Sequence, residues 1–210
     1  MSFIEIKDEL INKQRTKEIN KLFHLVVKAE TYEDILALAQ NGEVNFEWVL
    51  NNDLIVDIPL ANREAYNIYD RDITLTDVRG TVIMLDGNLD LTQTGKNRCK
   101  IILVGNSICN AIADDMAMIE CEAYQNSILN IETNDYSFGY ITSTNNSVVN
   151  ITSNDNSTIK ISGRENSVIN VEANLNAFIN AKIKEDTELT AETINIKCKT
   201  YDRAKYIKRA

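Results

Sequence analysis

Residues 106–185 read NSICNAIADD, MAMIECEAYQ, NSILNIETND, YSFGYITSTN, NSVVNITSND, NSTIKISGRE, NSVINVEANL and NAFINAKIKE when they are written in blocks of ten. The eight blocks align without a gap. A fixed period held over so many blocks is typical of a solenoid, in which each repeat buries its apolar face only by stacking on its neighbours. We therefore expect a repeat protein.

Each position within a block is named by the last digit of its residue number, so Ile159 is at position 9. Two kinds of position alternate along a block. Positions 9 and 1 are mostly apolar, as at Ile159 and Ile161, and positions 7 and 3 are small, as at Ser157 and Gly163. Alternation with a period of two predicts a strand with one buried face. Positions 4 to 6 are rich in Asn and Asp, which favour turns because they tolerate left-handed backbone. One block is thus expected to be one strand and one turn.

The sequence also has a second, longer period of two blocks. The blocks that start at 106, 126, 146 and 166 all open with Asn-Ser, whereas the blocks between them are less regular. This predicts a mainly β fold, a parallel β-solenoid (β-helix) whose coils have about 20 residues and two strands, with strands about 4.8 Å apart along the axis. Stacked Asn side chains are expected to form two structural ladders of amide hydrogen bonds. One contains Asn106, Asn126, Asn146 and Asn166, and the other contains Asn110, Asn130, Asn150 and Asn170.

The periodicity changes along the chain and predicts four segments. Residues 1–52 are expected to form an α-helical head that caps the solenoid, and residues 53–105 its irregular first coils. Residues 106–195 form the regular solenoid, and residues 196–210 a basic cap or tail.

In the head, apolar residues at spacings near 3, 4 and 7 predict a helix over residues 3–29. Thr31 and Asp34 resemble a capping box that opens a second helix, and Asn41-Gly42 is expected to end it. A third helix is expected over residues 45–50.

Short apolar runs predict further strands before residue 106. They are Ile55–Ile58, Ile73–Leu75, Val82–Leu85, Leu89–Leu91 and Ile101–Val104. We expect about six coils between residues 66 and 195, in a rod about 30 Å long at the strand spacing of a parallel sheet.

The composition disfavours several classes of partner. The formal net charge of -9 argues against nonspecific binding to nucleic acid or anionic membranes, because phosphates attract Lys and Arg. The opening residues MSFIEIKDEL contain no apolar signal region, and no stretch approaches the about 20 apolar residues of a membrane span. We expect a protein that is cytoplasmic as synthesised, and a virion component would be assembled in the same compartment.

The four cysteines, Cys99, Cys109, Cys121 and Cys198, show neither CxxC spacing nor a histidine cluster. The first three fall on positions 9 and 1, where a free cysteine packs as a small hydrophobe. We expect reduced thiols, no metal and no cofactor.

Basic residues dominate the C-terminal end, where Asp202 is the one acidic residue. They are Lys197, Lys199, Arg203, Lys205, Lys208 and Arg209. Lysine at a sheet edge blocks edge-to-edge addition, so these residues predict a charged cap on the open end of the solenoid. The alternative is a docking tail for an acidic neighbour, which includes another copy of this chain.

Position 8 should point outward, and yet it is mostly apolar. The side chains are Ile108, Ile128, Val148 and Val168 on one face and Met118, Phe138 and Phe178 on the other. Exposed contiguous apolar surface usually marks an interface, so these stripes predict association into a homodimer or homotrimer. The alternative is that each stripe is partly covered by its own stacked neighbours.

Residues suited to catalysis are scarce. His24, the one histidine, is expected to be packed or on the surface rather than to act as a general base. Stacked coils could bring together carboxylates such as Glu120 with Glu122, or Asp135 with Asp155, at the separation that glycosidases use, but such pairs arise by chance in so acidic a chain. We expect no catalytic residue and a protein that is not an enzyme.

The run NSVVNITSNDNSTIKISGRENSVINVEAN, residues 146–174, resembles the Asn-Ser/Ala-x-Val repeats of many uncharacterised phage and gut-bacterial proteins, which are taken to form β-solenoids. The resemblance extends over about residues 100–185 and does not include the head. It implies phage or prophage structural and adhesion roles more often than enzymes.

These observations predict a non-catalytic structural or binding module that assembles with itself, or with another structural protein, in a phage-associated setting. A polysaccharide-binding or polysaccharide-degrading β-helix is the alternative, with a glycan as the partner. An acidic nucleic-acid mimic comes third, because it needs a regular outward stripe of acidic side chains, and position 2 mixes Glu122, Glu132 and Glu172 with Thr, Ser and Lys.

Overall fold

The structure is a computed structural model that describes residues 2–15, 25–40, 57–192 and 195–209. The chain divides into two compact units, Met1–Ile68 and Tyr69–Ala210. Within the described part of the chain, no helix combines the length and the apolar character that crossing a membrane requires.

Helices form most of the regular structure in the described part of the first unit, and strand β1 (Ile68–Tyr69) begins at its last residue, Ile68. The helices are α1 (Phe3–Arg15), α2 (Tyr32–Gln40) and α3 (Leu60–Ala65), and residues 25–28 are also helical. The core of this unit includes Ile6, Leu10, Val26, Ile35, Leu36 and Ile58. The helix predicted over residues 3–29 is therefore present at both of its ends, whereas residues 16–24, which include His24, lie outside the described residues.

The predicted capping box at the start of α2 is confirmed. Asp34 accepts hydrogen bonds from the N–H groups of Glu30 and Thr31 at 2.8 and 2.9 Å, and Thr31 Oγ1 accepts one from the Asp34 N–H at 3.3 Å. The two backbone N–H groups hold the pKa of Asp34 below its usual value. Ser2 and Glu5 repeat this arrangement at the start of α1, a cap that we did not predict.

The remaining predictions for the first unit lie outside the described residues or are wrong. Asn41-Gly42 and the third helix over residues 45–50 lie outside the described residues, as do residues 55 and 56 of the predicted strand. The end of that strand is wrong, because residues 57 and 58 form a turn and α3 follows Pro59. Proline has a fixed φ and no N–H, so it favours the start of a helix over a place inside a sheet.

The second unit is a parallel β-solenoid, as predicted. Its strands are β1 (Ile68–Tyr69), β2 (Ile73–Thr76), β3 (Gly80–Met84), β4 (Asn88–Gln93), β5 (Arg98–Leu103), β6 (Ile108–Ala113), β7 (Met118–Ala123), β8 (Ile128–Thr133), β9 (Phe138–Ser143), β10 (Val148–Ser153), β11 (Thr158–Gly163), β12 (Val168–Ala173), β13 (Phe178–Ile183), β14 (Glu188–Glu192), β15 (Ile196–Thr200) and β16 (Lys205–Lys208).

The strands alternate between two parallel sheets. The odd sheet contains β1 to β15 in odd steps, and the even sheet contains β2 to β16 in even steps, with eight described strands in each. In the regular coils, paired residues are two blocks apart, so Val148 pairs with both Ile128 and Val168. One coil therefore contains two strands and two blocks of the sequence, as predicted.

The solenoid has about seven turns rather than the predicted six. The additional turn lies at the C-terminal end, where β15 and β16 pair with β13 and β14. The paired residues of these strands are separated in sequence by less than two blocks, as in the pairing of Ile179 with Ile196. The repeat of ten residues therefore does not extend to β15 and β16. Eight strands at the parallel spacing span about 34 Å.

Alternate side chains of each regular strand point into the core. In β10, Val149, Ile151 and Ser153 are buried, whereas Val148, Asn150 and Thr152 are partly exposed. The small residues at positions 7 and 3 meet where the chain turns, as in the Ser153 and Ser157 hydroxyls 2.7 Å apart. The predicted inward positions are therefore confirmed.

Most turns of the regular coils place position 5 in the left-handed region. Asp115, Asp135 and Asp155 have φ values of 60°, 55° and 58°. Asp tolerates this conformation because its side chain can bond nearby backbone. Leu175, at φ 55°, adopts it without that advantage and is 73% exposed.

The core thiols supply a test of the packing. Burial raises the pKa of Cys99 to about 11 and those of Cys109 and Cys121 above the usual range of a thiol. Burial also raises the pKa of Cys198, but this thiol is only partly buried and remains accessible to a reagent. Because the thiolate is the reactive form, we expect a thiol reagent at neutral pH to modify Cys198 alone in the folded protein and all four cysteines in guanidinium. The variant Cys198→Ala should remove the labelling of the folded protein, and rapid labelling of a second thiol would contradict the structure.

Candidate binding faces

The side chains at positions 8, 0 and 2 form the outer surfaces of the two sheets. The even face is the outer surface of strands β4 to β14 of the even sheet, and the odd face is that of strands β5 to β15 of the odd sheet. Because successive coils are in register, equivalent residues form columns along each face with a spacing of about 4.8 Å.

The even face carries a continuous apolar column at position 8. Ile108, Ile128, Val148 and Val168 are paired residues of neighbouring strands. The first three are half-buried, and Val168 is 39% exposed. Each side chain is thus partly covered by its neighbours in the column and still presents apolar surface to the outside.

The apolar column of the odd face is interrupted. Met118 and Phe138 are in register, but Thr158 separates Phe138 from Phe178. The Phe138 ring stacks on Tyr140, with 6.0 Å between the ring centroids. This face therefore presents aromatic rings rather than a regular aliphatic column.

The predicted ladder at position 0 is present on the even face. Asn130 Nδ2 donates to Asn110 Oδ1 at 2.9 Å, Asn150 to Asn130 at 2.8 Å and Asn170 to Asn150 at 2.9 Å. Asn110 donates to Asp90 Oδ1 at 2.8 Å. Every bond runs toward the N-terminal end of the solenoid, and the ladder begins at a carboxylate that can only accept.

The predicted ladder at position 6 is wrong. Its four side chains are exposed at turns, and no hydrogen bond joins them among the described residues. They are Asn106, Asn126, Asn146 and Asn166. Asn146 and Asn166 have φ values of 66° and 61°, so asparagine serves there by tolerating left-handed backbone,.

A ladder that we did not predict lies at position 4. Asn134 Nδ2 donates to Asp114 Oδ1 at 2.8 Å, Asn154 to Asn134 at 2.8 Å and Asn174 to Asn154 at 3.0 Å. It also begins at an aspartate. The Asn-Asp-Asn composition of positions 4 to 6 predicted a turn, and it gave no separate signal for a ladder of hydrogen bonds at position 4.

The ladder at position 0 forms the floor of an open groove on the even face. A section of about 460 Å³ extends from Asp90 to Thr152, with Ile112 and Glu132 beside the amides. A second section continues past Glu172. Each ladder amide uses one of its two N–H groups in the ladder, so the other can donate to a bound molecule.

The charges of the even face are all acidic from β4 to β14. They are Asp90, Glu132, Glu172, Glu188 and Glu192. Glu192 forms an ion pair with Arg209 at 3.5 Å, beyond the end of β16.

The odd face has a neutralised end and a basic end. On β5 and β7, Arg98 and Lys100 pair with Glu120 and Glu122 at 2.5 to 3.6 Å. From β9 to β15 the strands contain no acidic residue. Their charges are Lys160, Lys182, Lys197 and Lys199.

Three of the four lysines of the basic end contact aromatic rings. Lys160 Nζ lies 5.0 Å from the Tyr140 ring centroid, and Lys197 Nζ lies 5.6 Å from that of Phe178. Lys182 Nζ lies 5.3 Å from the Tyr201 ring. Among the described residues, none of the four lysines forms a salt bridge.

The predicted basic tail is the last coil of the solenoid, and its six charges separate into four places, one of which is the ion pair of Arg209 with Glu192. Lys197 and Lys199 lie on β15 and belong to the odd face, and Lys205 and Lys208 lie on β16. Arg203 pairs with Asp186 at 2.6 Å. The end of the solenoid is thus covered by a strand pair rich in lysine.

The carboxylate pairs considered for catalysis have other contacts. Glu120 and Glu122 both pair with Lys100. Asp155 accepts a hydrogen bond from the Asp135 N–H at 3.4 Å, so this pair links the turns of two coils. Among the described residues, no group of three or more His, Cys, Asp or Glu side chains could hold a metal ion.

The fold and the two faces define the class: a parallel β-solenoid with chemically different outer sheets. The chain matches no protein-family model, and no curated protein or solved structure is significantly similar to it.

The ladder at position 0 can be tested by breaking it in the middle. Asn150→Ala removes two hydrogen bonds and leaves Asn130 and Asn170 each without one partner, so we expect the free energy of unfolding to fall by about 1 kcal/mol. Asn126→Ala, at an exposed turn, should change it by less than about 0.5 kcal/mol. Urea unfolding measures both, and equal effects would contradict the structural difference between the two columns.

Proposed function

We propose that this chain is a non-catalytic structural or binding module whose solenoid associates with further copies of itself. The observation that carries the proposal is the continuous, half-exposed apolar column of the even face, Ile108, Ile128, Val148 and Val168. A column that runs along consecutive coils offers apolar surface in one plane, which is the usual property of an interaction surface.

The regular backbone supports this role. Each strand between the ends of the solenoid is paired on both sides, so the outer side chains are held at fixed spacing and little conformational freedom is lost on association. The resemblance of the repeats to phage and gut-bacterial proteins supports a phage-associated component that is made in the cytoplasm and becomes part of a virion.

The proposal predicts that self-association depends on the even-face column. Light scattering of the full-length protein should give an oligomer, and Ile128→Ser with Val148→Ser should reduce it to a monomer because it replaces the centre of the apolar column with polar side chains. Circular dichroism should show that the variant keeps its β structure.

Met116 and Leu175 supply the matched control, because both are exposed apolar side chains in turns, at 54% and 73%. Met116→Ser with Leu175→Ser should leave the oligomer intact. A wild-type protein that stays monomeric at every concentration would refute the proposal.

Glycan binding is a second candidate function, and the groove over the ladder at position 0 favours it. Its amides offer N–H donors at the coil spacing, and Asp90 and Glu132 offer acceptors for sugar hydroxyls,. The acidic lining favours neutral or amino sugars over acidic ones.

Calorimetric titration with cello-oligosaccharides and chitosan oligosaccharides tests this function. If one of them binds, Asn130→Ala with Glu132→Gln should weaken binding about tenfold, a loss of about 1.4 kcal/mol. Thr142→Ala, on the odd face, should have no effect. Unchanged binding by the groove variant would place the sugar elsewhere.

A further inference from the structure

We infer that copies of this chain associate side by side with parallel axes, the odd face of one copy against the even face of the next. This inference rests on the proposed self-association and specifies which surfaces meet. The partner of each face is thus a second copy of this chain.

Charge complementarity is the first observation. From β9 to β15 the odd face carries Lys160, Lys182, Lys197 and Lys199 and no acid, whereas the even face carries only acids from β4 to β14. Contact between two even faces would bring acidic side chains together, which is unfavourable. Contact between an odd and an even face brings opposite charges together.

The placement of the charges along the axis indicates parallel copies. Lys182 and Lys199 lie on β13 and β15, and Glu172 and Glu188 lie on β12 and β14, in the same turns of the solenoid. With parallel axes, these lysines lie at the same level along the axis as these glutamates. With antiparallel axes, they would lie opposite β4 and β6, where Asp90 is the one charged residue.

The odd face also contains a like-charge contact that an acidic neighbour would relieve. Lys182 and Lys199 are in register on adjacent strands, and like charges at such positions are destabilising. The equivalent even-face contact, Glu172 with Glu192, is relieved within the chain because Glu192 pairs with Arg209. No carboxylate in the described part of the chain forms such a pair with either lysine.

The two faces also match in size and spacing. Both have columns at about 4.8 Å and could pack as two sheets about 10 Å apart. Six strands cover about 29 Å along the axis, so a face that is six residues, or about 20 Å, wide has an area of about 600 Å². Two such faces bury about 1,200 Å², which is at the lower end of the range of stable specific interfaces.

The consequence is an open row rather than a closed dimer. Each copy uses two different surfaces, and every pair leaves one odd face and one even face free for the next copy. The contact is partly electrostatic, so it should weaken as the salt concentration rises.

Complementary variants of the full-length protein test the pairing. The odd-face variant is Lys182→Glu with Lys199→Glu, and the even-face variant is Glu172→Lys with Glu188→Lys. Each variant alone should lose association, because it sets like charges against the face that it would bind. An equimolar mixture should recover association as an alternating row. The unaltered even face of the first variant fits the unaltered odd face of the second, and the two altered faces again carry opposite charges. This rescue also shows that both variants are folded.

The matched control is Lys28→Glu with Lys96→Glu, two exposed lysines outside both faces, which should associate as the wild type does. Sedimentation velocity measures every species. If the odd-face variant associates as strongly as the wild type, the inferred pairing is wrong while self-association stands. If the wild type itself is monomeric, the proposed function fails and the pairing fails with it.

Discussion

The second unit depends on one constraint: the backbone hydrogen bonds between successive coils keep equivalent residues in register. Every outer position therefore meets its own counterpart about 4.8 Å away. An amide suits this arrangement because it both donates and accepts, and an apolar side chain gains cover from its neighbours. A charge repels its counterpart, and the acids at position 2 of the even face follow this rule in part, since Thr152 separates Glu132 from Glu172.

The same constraint gives the asparagine ladders a direction. In both ladders each amide donates to the preceding coil, and Asp90 and Asp114 receive the last hydrogen bond. A carboxylate suits this end because it accepts without needing to donate, and a bond to a charged acceptor is stronger than one between neutral groups. An asparagine there would leave its own amide N–H groups without a ladder partner.

The coil, the parallel sheets and the inward positions could be predicted from the sequence because the alternation within a strand and the repeat of two blocks are visible in its letters. The choice of ladder could not, because Asn recurs at positions 4, 6 and 0 alike. Backbone conformation separates these columns: Asn150 lies on a strand and stacks, whereas Asn146 lies in a turn with positive φ. The last coil was missed because its shorter offset, which pairs Ile179 with Ile196, departs from the repeat of two blocks.

The two faces differ in how far stacking explains their residues. On the even face, Asn150 and Val148 have identical or similar residues in the neighbouring coils, and such columns are what the coil register itself favours. On the odd face, position 0 runs from Glu120 through Tyr140 to Lys160, a sequence of residues that register alone does not select. Contacts between rings and lysines stabilise these residues within the chain, as between Lys160 and Tyr140 and between Lys197 and Phe178,. In the pairing that we infer, the regular even face would be the constant half of the interface and the odd face its variable half.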